Sequence, residues 1–259
     1  MELSINNYEN NQQSKIKYDG MVVNTNSFGK AVVVNYINKK KVEVVFLDTG
    51  HKDYFWMKDV IKGNIRDNYA KTTCNVGLKG DTSSMQGLNE KHVLYEKWSS
   101  MISRCYGKNI RKAYVGCSVG SSFRNYSTFF SWCEDQLGFY QDGWHLDKDI
   151  IVRGNKVYSE STCCFVPPEI NSLILSCKGS RGELPIGVSK TADGKKYRSR
   201  VHSNGSSKFL GVYRSSEEAF FAYKSFKESY VKEVANKWKD HIDLRVYNAL
   251  MNWEVGIDD

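Results

Sequence analysis

Proline is scarce, three in 259 residues, and no tract is built from one or two residue types, so the chain reads as folded domains rather than low-complexity sequence. No apolar run approaches the roughly 20 residues that span a bilayer, so no membrane partner is expected. The opening MELSINNYENNQQSK has neither a basic leader nor an apolar core; a flexible N-terminus over residues 1–15, no secretory signal and a cytoplasmic location are the expectations. Seven cysteines occur (Cys74, Cys105, Cys117, Cys133, Cys163, Cys164 and Cys177), an odd number with no Cys-x-x-Cys pair. Disulfide frameworks belong to oxidising compartments and zinc ribbons need paired ligands at that spacing, so free buried thiols are expected and structural zinc is not.

What the chain does have is positive charge, a net +8, which suits a polyanionic partner; its length allows two or three domains. The charge is unevenly placed. Between Gly187 and Arg214 stand seven basic residues (Lys190, Lys195, Lys196, Arg198, Arg200, Lys208 and Arg214) against Asp193 alone, whereas Ser216 to Trp238 holds four of each sign. The first stretch reads as three short strands, with turns at Ala192-Asp193-Gly194 and Ser203-Asn204-Gly205. The second reads as a helix capped by Ser215/Ser216, with acidic Glu217 and Glu218 in its first turn. Alternation along Lys196–His202 sends Tyr197, Ser199 and Val201 to one face and Arg198, Arg200 and His202 to the other. The expected element is a sheet with a helix on one side and a basic face on the other. Such a face suits double-stranded DNA, with arginines at guanine edges and Lys190, Lys196 and Lys208 as further DNA-binding candidates.

The order Gly187-Val188, Tyr197-Arg198-Ser199-Arg200-Val201, Phe209-Leu210-Gly211-Val212-Tyr213 and Ser216-Glu217-Glu218-Ala219-Phe220-Phe221-Ala222-Tyr223 resembles the apetala/ethylene-response-factor type of DNA-binding domain. That resemblance implies that the sheet reads DNA. Ser199 stands where the family usually has alanine, and the tryptophans common in its plant members are missing from these strands.

Toward the N-terminus, Met21–Val23, Ala31–Tyr36 and Val42–Phe46 are strand-like, with turns at Ser27–Gly29, Asn38–Lys41 and Asp48–Gly50. This segment, residues 16–70, resembles small barrels of the Tudor or KOW kind, which implies a protein partner or an accessory DNA contact. A polar linker near Asn75–Gly87 leads to a helix with Leu94, Trp98, Met101, Ile102 and Cys105 on one stripe. A second helix is expected to bury Phe123, Tyr126, Phe130, Cys133 and Leu137.

Residues Gly143–Asn171 read as strand, loop, strand, helix, which would bring Asp147 near Asn171. A carboxylate and an amide oxygen are hard ligands suited to Mg2+ or Mn2+, ions that keep several waters and accept phosphate oxygens. The segment resembles the HNH, or ββα-metal, motif of phage homing endonucleases. On that resemblance Leu146-Asp147-Lys148-Asp149-Ile150 stands for the opening, Gly154-Asn155 for the loop and Asn171 for the closing ligand. It implies metal ligands Asp147 and Asn171 and catalytic positions Lys148 and Asn155. Lys148 holds the place of the family's general-base histidine, and a protonated lysine cannot accept a proton. His145, two residues before Asp147 and on the same strand face, is a substitute base or a bystander. From Tyr95 onward the chain also looks like phage-encoded HNH proteins that end in an apetala-type domain, which implies a bacterial host cytoplasm.

The expected fold is α+β: a small N-terminal β-barrel (16–70), central helices with a ββα-metal region (88–178), and a three-stranded sheet plus helix with a C-terminal extension (184–259). The expected function is sequence-selective, Mg2+-dependent cleavage or nicking of double-stranded DNA. The alternatives are an inactive DNA-binding regulator and an interaction protein that works through the barrel.

Overall fold

Alternating valines near the N-terminus pair as an antiparallel meander in the computed structural model, which describes residue 10 and residues 12–85, 91–174, 183–203, 205–257 and 259. Contacts divide the chain into two compact units, Met1–Arg111 with Arg124–Phe129, and Lys112–Phe123 with Phe130–Asp259.

In the first unit, helix α1 (12–18) precedes β1 (Val22–Asn24), β2 (Lys30–Asn38), β3 (Lys41–Phe46), β4 (Lys52–Phe55) and α2 (Met57–Ile61). The strands pair in chain order, each antiparallel to the next. Inward residues Ala31, Val33, Val42, Val44 and Phe46 form the core with Met57, Val60 and Ile65. The expected barrel is therefore an open sheet among the described residues. With three- and four-residue strands at its two edges, the meander is too short to curl until β1 meets β4. The expected flexible tail lies mostly outside the described residues, as does the end of the linker.

Helix α3 (Lys91–Tyr106) buries all five residues of its predicted stripe. Helix α4 (Tyr126–Glu134) is shorter than its expected pattern: Phe123 sits in the 3-10 turn before it, and Leu137 lies beyond it and is exposed.

In the second unit, β6 (His145–Asp147) pairs antiparallel with β8 (Cys164–Val166), and α5 (Pro168–Leu173) follows at once. Between them β7 (Val157–Tyr158) runs parallel to β5 (Ser118–Val119). Leu146 faces Phe165 across the hairpin, and Phe165 stacks on Trp132 at 6.1 Å and lies 5.9 Å from Phe139. One face of the hairpin is thus fixed in an aromatic core; the other carries Asp147.

The chain then forms β9 (Val188–Lys190), β10 (Tyr197–Ser203) and β11 (Ser206–Tyr213), with β10 central, backed by α6 (Ser216–Trp238), and α7 (Leu244–Met251) follows. Val201, Phe220, Tyr223 and Val255 form their core. Gly187 adopts φ +77°, and a Cβ there would sit 2.1 Å from the Tyr223 ring, so only glycine lets the chain enter β9 this close to α6. The end of α5's exit and Cys177 fall in 175–182, outside the described residues.

Two parts expected as separate domains are tied within this unit. Glu169 of α5 accepts from Lys237 Nζ at 2.7 Å and from Trp238 Nε1 at 2.7 Å, both on α6. Arg153, in the loop between β6 and β7, donates to the Glu254 carbonyl at 2.7 Å and pairs with Asp259. Trp144 packs edge-on against Trp238, ring centroids 5.9 Å apart.

Candidate metal cleft and nucleic-acid face

Strand alternation builds the basic face as expected in its centre and differently at its margins. Ser199 and Val201 are buried toward α6, while Arg200 and His202 are exposed and Arg198 is half-buried. Pairing sets Arg198 opposite Val212 and Arg200 opposite Phe209. Directly paired residues share a face, so the outer face joins arginines to two exposed apolar side chains, Phe209 (54 % exposed) and Val212 (46 %). Lys196 is exposed just before β10. Lys208 departs from the expectation. It pairs with Val201, and its ammonium lies 4.5 Å from the centre of the Phe226 ring of α6, on the helix side of the sheet. Lys190 pairs with Tyr197 and belongs to that side too, exposed at the β9 edge. The register slips once, between Ser199 and Arg200, leaving Leu210 as an unpaired bulge residue packed into the core.

Asp147 and Asn171 both line one cleft of about 310 Å³. Asp149, Arg153, Tyr223, Lys227 and Trp253 line it as well. Asp147 ends β6, and its Oδ1 accepts the backbone N–H groups of Asp149 (2.8 Å) and Ile150 (2.9 Å), which fixes the turn after the strand. The Asp149 side chain also hydrogen-bonds this carboxyl group. Burial, with the neighbouring Asp149 charge, raises the Asp147 pKa from 3.8 to about 6. A half-buried carboxylate beside a second one, with an amide side chain lining the same cleft, is a donor set of the type a hard divalent cation takes. No group of three or more His, Cys, Asp or Glu side chains surrounds a metal position among the described residues, so an ion there would keep several waters.

The three other nominated positions do not face this cleft. His145 shares the strand face of Asp147 but is exposed and is not among the cleft-lining residues. Lys148 is buried, its ammonium 3.0 Å from Asp149 Oδ2 and 5.7 Å from the centre of the Tyr158 ring. Burial opposes its charge, but the hydrogen bond and charge of Asp149 outweigh this and hold its pKa above the ordinary lysine value. It stays protonated and cannot serve as a base. Asn155 is committed to the loop: its Nδ2 donates to the carbonyls of Lys148 and Val157, each at 2.7 Å, and its Oδ1 accepts from Val157 N. Beside the hairpin, burial pushes the Cys163 thiol up to about 12, so this thiol is protonated at neutral pH.

Sequence reasoning missed Asp149 as a second carboxylate of the cleft, although the Asp-x-Asp spacing was visible. It also missed Lys227, Tyr223 and Trp253, which arrive from a segment read as the backing of the DNA-binding sheet. The first unit has a wider groove, about 780 Å³, lined by Lys17, Tyr18, Tyr36, Lys39 and Lys40 among others, and no carboxylate lines it. No helix among the described residues is long and apolar enough to cross a membrane. Comparison with protein-family models, curated proteins and solved structures yields no match to the chain.

Proposed function

We propose that the chain binds double-stranded DNA selectively through the outer face of β9–β11 and hydrolyses a backbone phosphodiester at the cleft with Mg2+ or Mn2+, as a homing-type endonuclease of the HNH kind would. The observation that carries this reading is the shared cleft wall of Asp147 and Asn171 in a strand–loop–strand–helix element tied to the sheet's own helix. Asp147 and Asn171 would hold the cation, with Asp149 beside them. When bound, the ion supplies Lewis-acid stabilisation of the charge on a phosphoryl oxygen. The chain's own part is to aim two oxygen ligands into a half-buried cleft, to hold Lys148 and Asn155 in the supporting loop, and to present Arg198 and Arg200 to base edges.

A second reading, a DNA-binding regulator without cleavage, is favoured by one observation: Lys148 is protonated on Asp149, and His145 lies off the cleft. DNA recognition is common to both readings and is tested first. In gel-shift titrations on a selected target and on random duplex, Arg198→Ala and Arg200→Ala are expected to cost about 1–3 kcal/mol on the target and less on random DNA. Lys208→Ala is expected to cost less than either, because its ammonium sits on the helix side of the sheet. Wild-type affinity in both arginine variants would remove the sheet as the reading face.

A further inference from the structure

Charge matching within the cleft singles out one cation. Asp149 is matched by Lys148 at 3.0 Å and Arg153 by Asp259, which leaves Asp147 and Lys227 as the unmatched charges on the wall. They do not pair with each other. Lys227 stands one helical turn beyond Tyr223 on α6, and both line the cleft. Its burial is enough to lower its pKa, with no neighbouring charge contributing. Its neighbours on the helix are engaged: Lys224 Nζ bonds Glu228 at 2.6 Å and the Val255 carbonyl at 2.9 Å, and Lys237 bonds Glu169. Lys227 makes no hydrogen bond or ion pair among the described residues. A half-buried ammonium with its donors unspent is costly in the free protein and becomes favourable once an anion enters.

We propose that Lys227 is the phosphate-binding group of this cleft, donating to a non-bridging oxygen of a nucleic-acid backbone phosphate held beside Asp147 and Asn171. The inference rests on the nuclease reading and adds a residue contributed by the helix that backs the DNA-reading sheet. With a divalent cation on the Asp147 side, that carboxylate is neutralised and the cleft turns net positive, which suits a phosphodiester. Without the cation, the unmatched Asp147 carboxylate offsets the Lys227 charge and repels the anion, so phosphate binding depends on the metal.

The test uses the full chain, Ca2+ and thymidine 3′,5′-bisphosphate as probe, followed by calorimetry and 31P NMR, alongside thermal melts. Wild type is expected to bind the probe with Ca2+ and to lose it on chelation. Lys227→Met keeps the apolar stem and removes the charge. It is expected to weaken binding by about tenfold to a hundredfold, the worth of one charge-assisted hydrogen bond, while melting at or above the wild-type temperature because an unpaired charge is gone. Lys227→Arg should retain most of the binding. If Lys227→Met binds as wild type does while Asp147→Asn fails, the lysine assignment falls and the metal cleft stands. If wild type does not bind the probe with Ca2+, both fall. If Lys227→Met melts well below wild type and Lys227→Arg loses binding equally, the lysine is a packing residue and the proposal is overturned.

Discussion

Asp147 and Ser199 both sit in unfavourable environments, and each makes a stability prediction. Ser199 is fully buried with its Oγ unbonded. Removing an unsatisfied hydroxyl recovers its desolvation cost, so Ser199→Ala should stabilise the chain by about 1 kcal/mol, read as a higher melting temperature. A lower one would mean that the hydroxyl has a partner in solution. The folded Asp147 holds its proton more tightly than the unfolded, with a pKa raised from 3.8 to about 6. Its contribution to stability is therefore fully present below the unfolded value and lost as pH rises through about 6. At pH 8 the ionised side chain costs up to about 3 kcal/mol. Asp147→Asn keeps an oxygen for the two backbone N–H groups and carries no charge, so it should raise the melting temperature at pH 8 and change little at pH 4. Mg2+ should stabilise wild type at pH 8 and leave Asp147→Asn unmoved; equal stabilisation of both would place the ion elsewhere. Residue identity within the strand–loop–strand–helix pattern nominated Asp147 and Asn171, and both line one cleft. It was not enough for Lys227, since a lysine in a balanced helical segment looks like a solvated one until packing removes its water.

At the scale of elements, local periodicity was informative wherever one face is buried. The Tyr197–His202 alternation and the α3 stripe both follow from packing against a single neighbour. What was not legible was pairing. Lys208 and Lys190 were assigned to the basic face from charge alone, and their strand partners put them on the other side. The barrel expectation failed similarly: strand runs were visible, closure was not, because closure depends on whether edge strands are long enough to meet. The fourth strand, β4, also passed unnamed behind the Asp48–Gly50 turn. The tie between α5 and α6 is a third feature set by long-range contact. Glu169 is held below the usual carboxylate range, burial being outweighed by hydrogen bonds from Lys237 and Trp238. Its contribution is present above the unfolded pKa and lost as pH falls through the folded one. Glu169→Ala should destabilise the chain by about 1–2 kcal/mol at pH 7 in denaturant titrations, with a smaller effect at pH 3. An unchanged midpoint would show that the tie is only a surface pair.

For the whole molecule, the chain's contacts group its ββα element with the sheet and α6 in one unit and leave the N-terminal meander with α3 in the other. The three-stranded sheet and the cleft thus belong to a single unit, with α6 carrying core residues for the sheet and Lys227 for the cleft. The proposed function, with affinity in the sheet and chemistry in the cleft, predicts that the two can be separated by substitution. The direct measurement is cleavage of a selected duplex in Mg2+ at protein concentrations that bind all of it, for wild type and Asp147→Ala side by side. Wild type should cut, and Asp147→Ala, equally bound, should be slower by about a hundredfold or more. Bound DNA left intact by wild type in both Mg2+ and Mn2+, or cutting that survives Asp147→Ala and added chelator, would contradict the account.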